Sequence, residues 1–171
     1  MRAAFEQEGS ESMADGEAKA VLIGQFKETK EALESLGRAY GRWVHDDLAE
    51  LGRRPATASL LSDILEHYYT ALETLFLRVS RFFENRLSRD KWHQDLLDKM
   101  LLEVPGVRPR VVSRATYEIL RELIRFRHFR RYYYEQDYDW DRLDFLRKKL
   151  EELFPLLEAD LARFTSFLTV L

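Results

Sequence analysis

An all-helical fold is predicted by where this chain places its turn residues. All seven glycines lie at or before position 106, and residues 60–104 and 110–154 contain neither glycine nor proline. Strands are normally punctuated roughly every 8–12 residues, so gaps of this length exclude a sheet. Within the gaps, apolar residues recur at steps of three, four and seven, the period of a helix face. A length of 171 residues fits one domain. The expected fold is all-α, an antiparallel bundle of four long helices plus a shorter inserted helix.

The first helix is expected over 18–51, with Leu22, Phe26, Leu33, Leu36, Tyr40, Trp43, Val44, Leu48 and Leu51 as its apolar positions. Gly52 and Pro55 end it, because glycine suits the position just past a helix and proline cannot continue one. The second is expected from Ser59 to about position 86. Its face from Leu61 to Phe83 is too wide for a single partner helix, so it should touch two neighbours. A shorter helix over about 90–102 carries Trp92, Leu96, Leu97, Met100 and Leu101, and a rigid loop through Pro105, Gly106 and Pro109 follows. Ser113 is a good N-cap for the fourth helix, whose core stripe is Tyr117, Leu120 and Ile124. Asp139 and Asp141 suit the N-terminus of the last helix, and Pro155 should kink or split it. Residues 1–16, with Gly9, Ser10, Ser12 and Gly16, read as a disordered tail. Residues 17–171 then form the single helical-bundle domain.

Composition narrows the function classes. There is no cysteine, which excludes thiol catalysis, cysteine-ligated zinc and iron–sulfur clusters. Residues 1–20 carry five acidic side chains and no apolar run of signal-peptide length, and no window is apolar enough to span a membrane. A cytoplasmic location with no membrane partner is the expectation. Glu-x-x-His, the signature of a carboxylate-bridged di-iron bundle, does not occur, so no metal and no cofactor are expected. The chain also has no Gly-rich phosphate loop and no nucleophile elbow.

A net charge of −3 conceals two opposed blocks. Residues 121–134 hold five arginines against Glu122, while 135–144 hold Glu135, Asp137, Asp139, Asp141 and Asp144 against Arg142. The core stripe of the fourth helix continues at helical steps onto Arg127, His128, Arg131 and Tyr134. Charge on a buried stripe needs compensation. Either the acidic block folds back onto the arginines, or the stripe lines a cleft or subunit interface that admits an anion. Arg125, Arg127, Arg130 and Arg131 offer planar donor forks for phosphate oxygens. Phe126, Phe129, Tyr132, Tyr133 and Tyr134 are interleaved with them and can stack on bases. The alternative is a plain helical module in which the two blocks neutralise each other.

The same stretch resembles the HepT-like branch of the HEPN ribonucleases, which carry Arg-x4-His-x-Tyr near the end of the fourth long helix. Arg127, Tyr132 and Tyr134 stand at the three motif positions. Trp92-His93-Gln94, the Pro105 to Pro109 loop and Asp139-Trp140-Asp141-Arg142 are similar as well, so that the resemblance covers roughly 60–168. It implies a metal-independent endoribonuclease, the toxin of a toxin–antitoxin pair, with its site where the motif helices of a homodimer meet. In such a site the histidine handles protons and the arginine holds the phosphate. The implied partners are RNA and a minimal nucleotidyltransferase antitoxin, which in some members transfers AMP to the motif tyrosine, here Tyr134.

The sequence departs from that pattern at its centre, because the histidine position is Tyr132. A phenol with an ordinary pKa of about 10 is a poor base near neutral pH. Three outcomes stay open: a binding homologue without nuclease activity, His128 as the substitute base, or Tyr132 itself acting as an acid.

Overall fold

The computed structural model describes the backbone of residues 2–84, 92–132 and 139–171, and the side chains of 16–84, 93–128 and 139–171. The described residues form an all-helical bundle without strands. The elements are α1 (Arg2–Arg42), a π-helical segment (Trp43–Asp47), the single turn α2 (Leu48–Leu51), α3 (Pro55–Phe83), α4 (Trp92–Leu101), α5 (Arg114–Tyr132) and α6 (Trp140–Val170). Four are long and α4 is the shorter insert, as the glycine and proline spacing predicts.

The boundaries differ from the expected ones in physically readable ways. α1 begins at Arg2, so the backbone of 2–16, expected as a disordered tail, is helical. Ala3, Ala4, Glu6, Gln7, Glu8 and Glu11 are good helix formers, and a glycine within a helix costs only about 1 kcal/mol. The same helix does not run unbroken to Leu51. It widens into π geometry at Trp43, which is fully buried and donates from its indole Nε1 to the Thr57 carbonyl at 2.8 Å. Gly52 closes α2 at φ 69°, in the left-handed region where a side chain is strained. α3 starts four residues before Ser59, since Pro55 is preset for the first helical position. The Arg54 amide donates to Thr57 Oγ1 at 3.0 Å, holding that start.

α3 is the hub. It contacts α1, α4, α5, α6 and the π segment, more partners than its wide apolar face suggests. Leu61, Leu65, Leu72, Leu75, Phe76 and Val79 are sealed from solvent, together with Leu96, Leu97 and Met100 of α4 and Leu146, Leu150, Leu153 and Phe164 of α6. Phe26 of α1 stacks on Phe164 at 5.5 Å between centroids, joining the first helix to the last. α6 remains one element through Pro155, so the expected split does not occur.

The α4–α5 connection is latched by a buried arginine. Gly106 turns at φ 73°, Val104 and Arg108 exchange backbone hydrogen bonds, and the Arg108 side chain points inward. Its guanidinium pairs with Glu84 and donates to the carbonyls of Lys99, Leu102 and Pro109. α5 then starts where Ser113 Oγ accepts from the Thr116 amide at 3.2 Å, the expected N-cap. A second device reinforces it: buried Asp160 of α6 accepts from the Ser113 amide at 2.7 Å and the Thr116 hydroxyl at 2.6 Å. The direction of α5, and with it the placement of residue 127, is thereby fixed at its base.

Candidate functional site around Arg127

α5 buries Thr116, Leu120, Leu123, Phe126 and Arg127 along one face. The apolar spacing therefore carries Arg127 inward, where it is only 8% exposed. Among the described residues its compensating charge comes from α3. Glu73 of α3, 5% exposed, receives Arg127 Nη1 at 3.0 Å on Oε2 and at 3.3 Å on Oε1. The guanidinium lies over the Tyr69 ring, one helical turn before Glu73, at 5.8 Å from the centroid. Arg127 Nε is buried and has no partner among the described residues.

The same carboxylate holds a second group. His93, in the first turn of α4, meets Glu73 Oε1 through Nδ1. An ionised carboxylate only accepts, so Nδ1 carries the proton in this contact. The imidazole is about one-third exposed, with a side-chain accessibility of 34%. Tyr69 completes the cluster, with a buried hydroxyl that has no hydrogen-bond partner among the described residues. Burial first, and then the Glu73 charge, push its pKa well above the ordinary tyrosine value, against the opposing pull of Arg127. Tyr69 is thus a neutral phenol throughout the physiological range.

The remaining predicted site residues separate. Arg125 and His128 share the exposed outer face of α5, and Arg125 is paired with Glu122. Phe126 is part of the hydrophobic core rather than a stacking surface for bases. Tyr132 is the last residue of α5 by its backbone. The side chains of Phe129, Arg130, Arg131 and Tyr132, and all of Tyr133 and Tyr134, lie outside the described residues. Arg127 is therefore assembled with Glu73, Tyr69 and His93, and not with its neighbour His128.

Among the described residues the two charge blocks meet through one ion pair. Glu122, the acid of the basic block, receives Arg142, the base of the acidic block, at 3.0 Å. Asp139 accepts from the amides of Asp141 and Arg142 as the N-cap of α6, and Asp144 pairs with Arg53. None of these acids neutralises Arg127 among the described residues. Glu73 itself escapes a reading based on apolar residues alone. Its signal is positional: it sits four residues after Tyr69 and three before Phe76 on the buried face of a helix, and an inward acid there needs an inward base. Among the described residues no group of three or more His, Asp or Glu side chains is arranged to hold a metal ion. No described helix is long and apolar enough to cross a membrane.

The family model of the HepT-like protein matches residues 60–168, from the first turns of α3 to the end region of α6. Neither a curated protein nor a solved structure matches the chain. Glu73, His93 and Arg127 all fall inside the matched span, as do the latched loop and the cap of α6. The match covers well over half of the chain and, with the all-helical bundle, shows that this chain belongs to the HepT-like family.

Proposed function

We propose that this protein is a HepT-like toxin homologue of a toxin–antitoxin pair, with a metal-independent ribonuclease-type site built on Arg127 at a homodimer interface. The observation that carries this reading is the buried guanidinium of Arg127, pinned by Glu73 at the motif position. A cation fixed before its ligand arrives costs no reorganisation when charge develops on a phosphate. Arg125, Arg130 and Arg131 extend the positive charge along the same helix end for the RNA backbone. The partner is a minimal nucleotidyltransferase antitoxin. AMP placed on Tyr134 would add negative charge beside the arginines and oppose RNA entry.

A second reading is favoured by the same ion pair. Glu73 already neutralises Arg127, which leaves less net charge for a phosphate and suits a non-catalytic module that binds the nucleotidyltransferase or RNA. Binding and cleavage of a labelled RNA by the full chain in excess EDTA separate the two. The ribonuclease-type reading expects binding that weakens steeply with salt, a loss of at least tenfold on Arg127→Ala, and at least tenfold faster cleavage on Tyr132→His. Absence of both RNA binding by the unsubstituted chain and cleavage by Tyr132→His overturns it in favour of the partner-binding module.

A further inference from the structure

One buried carboxylate holds both an arginine and a histidine. Glu73 takes Arg127 on Oε2 and Oε1, and His93 Nδ1 on Oε1. A carboxylate that accepts Nδ1–H fixes the tautomer and ring orientation of an imidazole, leaving Nε2 as the basic atom. The ring is one-third exposed while its anchor is buried, so the imidazole bridges the core and the surface. The sequence meanwhile places tyrosine where the motif carries its proton-handling histidine. Of the described histidines, His128 stands on the outer face of α5, whereas His93 shares a carboxylate with the motif arginine.

We infer that His93, supplied by α4 and held by Glu73, is the proton-transferring catalytic residue of this chain, in place of the missing motif histidine. This rests on the ribonuclease-type reading above. The RNA 2′-oxygen attacks the adjacent phosphorus, and its proton passes to His93 Nε2. The new 2′-O–P bond forms as the P–O5′ bond breaks, with Arg127 beside the phosphate oxygens. The imidazolium returns the proton to the leaving 5′-oxygen, which yields a 2′,3′-cyclic phosphate and a 5′-hydroxyl. Nδ1 stays bonded to Glu73 throughout, and no metal, oxidant or further reactant enters. Glu73 is a positioning residue for both groups.

The test measures metal-free cleavage of a short RNA by the full chain in EDTA between pH 5 and 9, with RNA binding followed by anisotropy. His93→Gln should lower the cleavage rate about 10²- to 10⁴-fold, while RNA affinity and melting temperature stay near those of the unsubstituted chain. His93→Ala should regain activity when imidazole is added, a rescue that a merely structural histidine does not show. Cleavage that survives His93→Gln, or that is lost in His93→Ala without imidazole rescue, overturns the role of His93. RNA binding without any cleavage by the unsubstituted chain overturns it as well, yet leaves RNA recognition standing. Absence of Arg127-dependent binding fells the underlying ribonuclease-type reading instead.

Discussion

Glu73 holds both Arg127 and His93 near the end of α5. It is 5% exposed and faces Arg127, which is 8% exposed, so each buried charge depends on the other for its solvation. Glu73→Gln keeps the shape and some hydrogen bonding but leaves Arg127 buried without a counter-charge. The expected loss is roughly 3–5 kcal/mol, read by urea denaturation at pH 7. The double variant Glu73→Gln/Arg127→Met should lose clearly less than the two single losses together, because removing the second charge relieves the first. Strict additivity would show that the pair is not coupled. At this scale Arg127 was legible, since the heptad-like steps of α5 carry it inward. Its partner was not, because the acid lies 54 residues away on another helix and only packing brings the two together.

Helix α5 is fixed at both ends by residues from other elements: Asp160 of α6 at its base and Glu73 of α3 near its tip. Ser113 as its cap and Asp139 as the cap of α6 could be read directly, since capping residues act within three positions of themselves. The Asp160 bracket could not, for it spans more than forty residues. Within α6, Pro155 lacks an amide proton and its ring crowds the carbonyl of Glu151, yet the helix continues. Burial of Leu150, Leu153, Leu157, Leu161 and Phe164 on one face outweighs that local cost. Pro155 itself is exposed. Pro155→Ala should therefore raise stability by about 1–3 kcal/mol, measured as a higher urea midpoint with an unchanged slope. An unchanged or lower midpoint would mean that the proline's geometry is itself required for packing.

The whole molecule is organised around α3, and two of its tyrosines link the fold to alkaline pH. Tyr68 is raised by burial alone, and Tyr69 by burial and by the Glu73 carboxylate, with Arg127 opposing. Both folded-state values lie above the unfolded one. Their contribution is thus fully present below about pH 10, the ordinary tyrosine value, and is lost as pH rises from there through the folded values. The urea midpoint should hold steady up to about pH 9 and fall between about pH 10 and 11. Tyr69→Phe should shrink that fall. Because the buried Tyr69 hydroxyl has no hydrogen-bond partner among the described residues, the same substitution should cost little at pH 7. A fall as steep in Tyr69→Phe as in the unsubstituted chain would place the alkaline transition elsewhere.

By itself the sequence determined the all-helical class, the number and order of the long helices, the caps at Ser113 and Asp139, and the inward turn of Arg127. All of these depend on residues within a few positions of one another, where helical period and capping chemistry act. Only the tertiary structure decided what neutralises Arg127, which histidine stands beside it, and that the charge blocks join through Glu122 and Arg142. Those outcomes depend on which helix faces which across the core. A buried charge accepts whatever opposite charge packing delivers within hydrogen-bonding distance, however far away it lies in the chain.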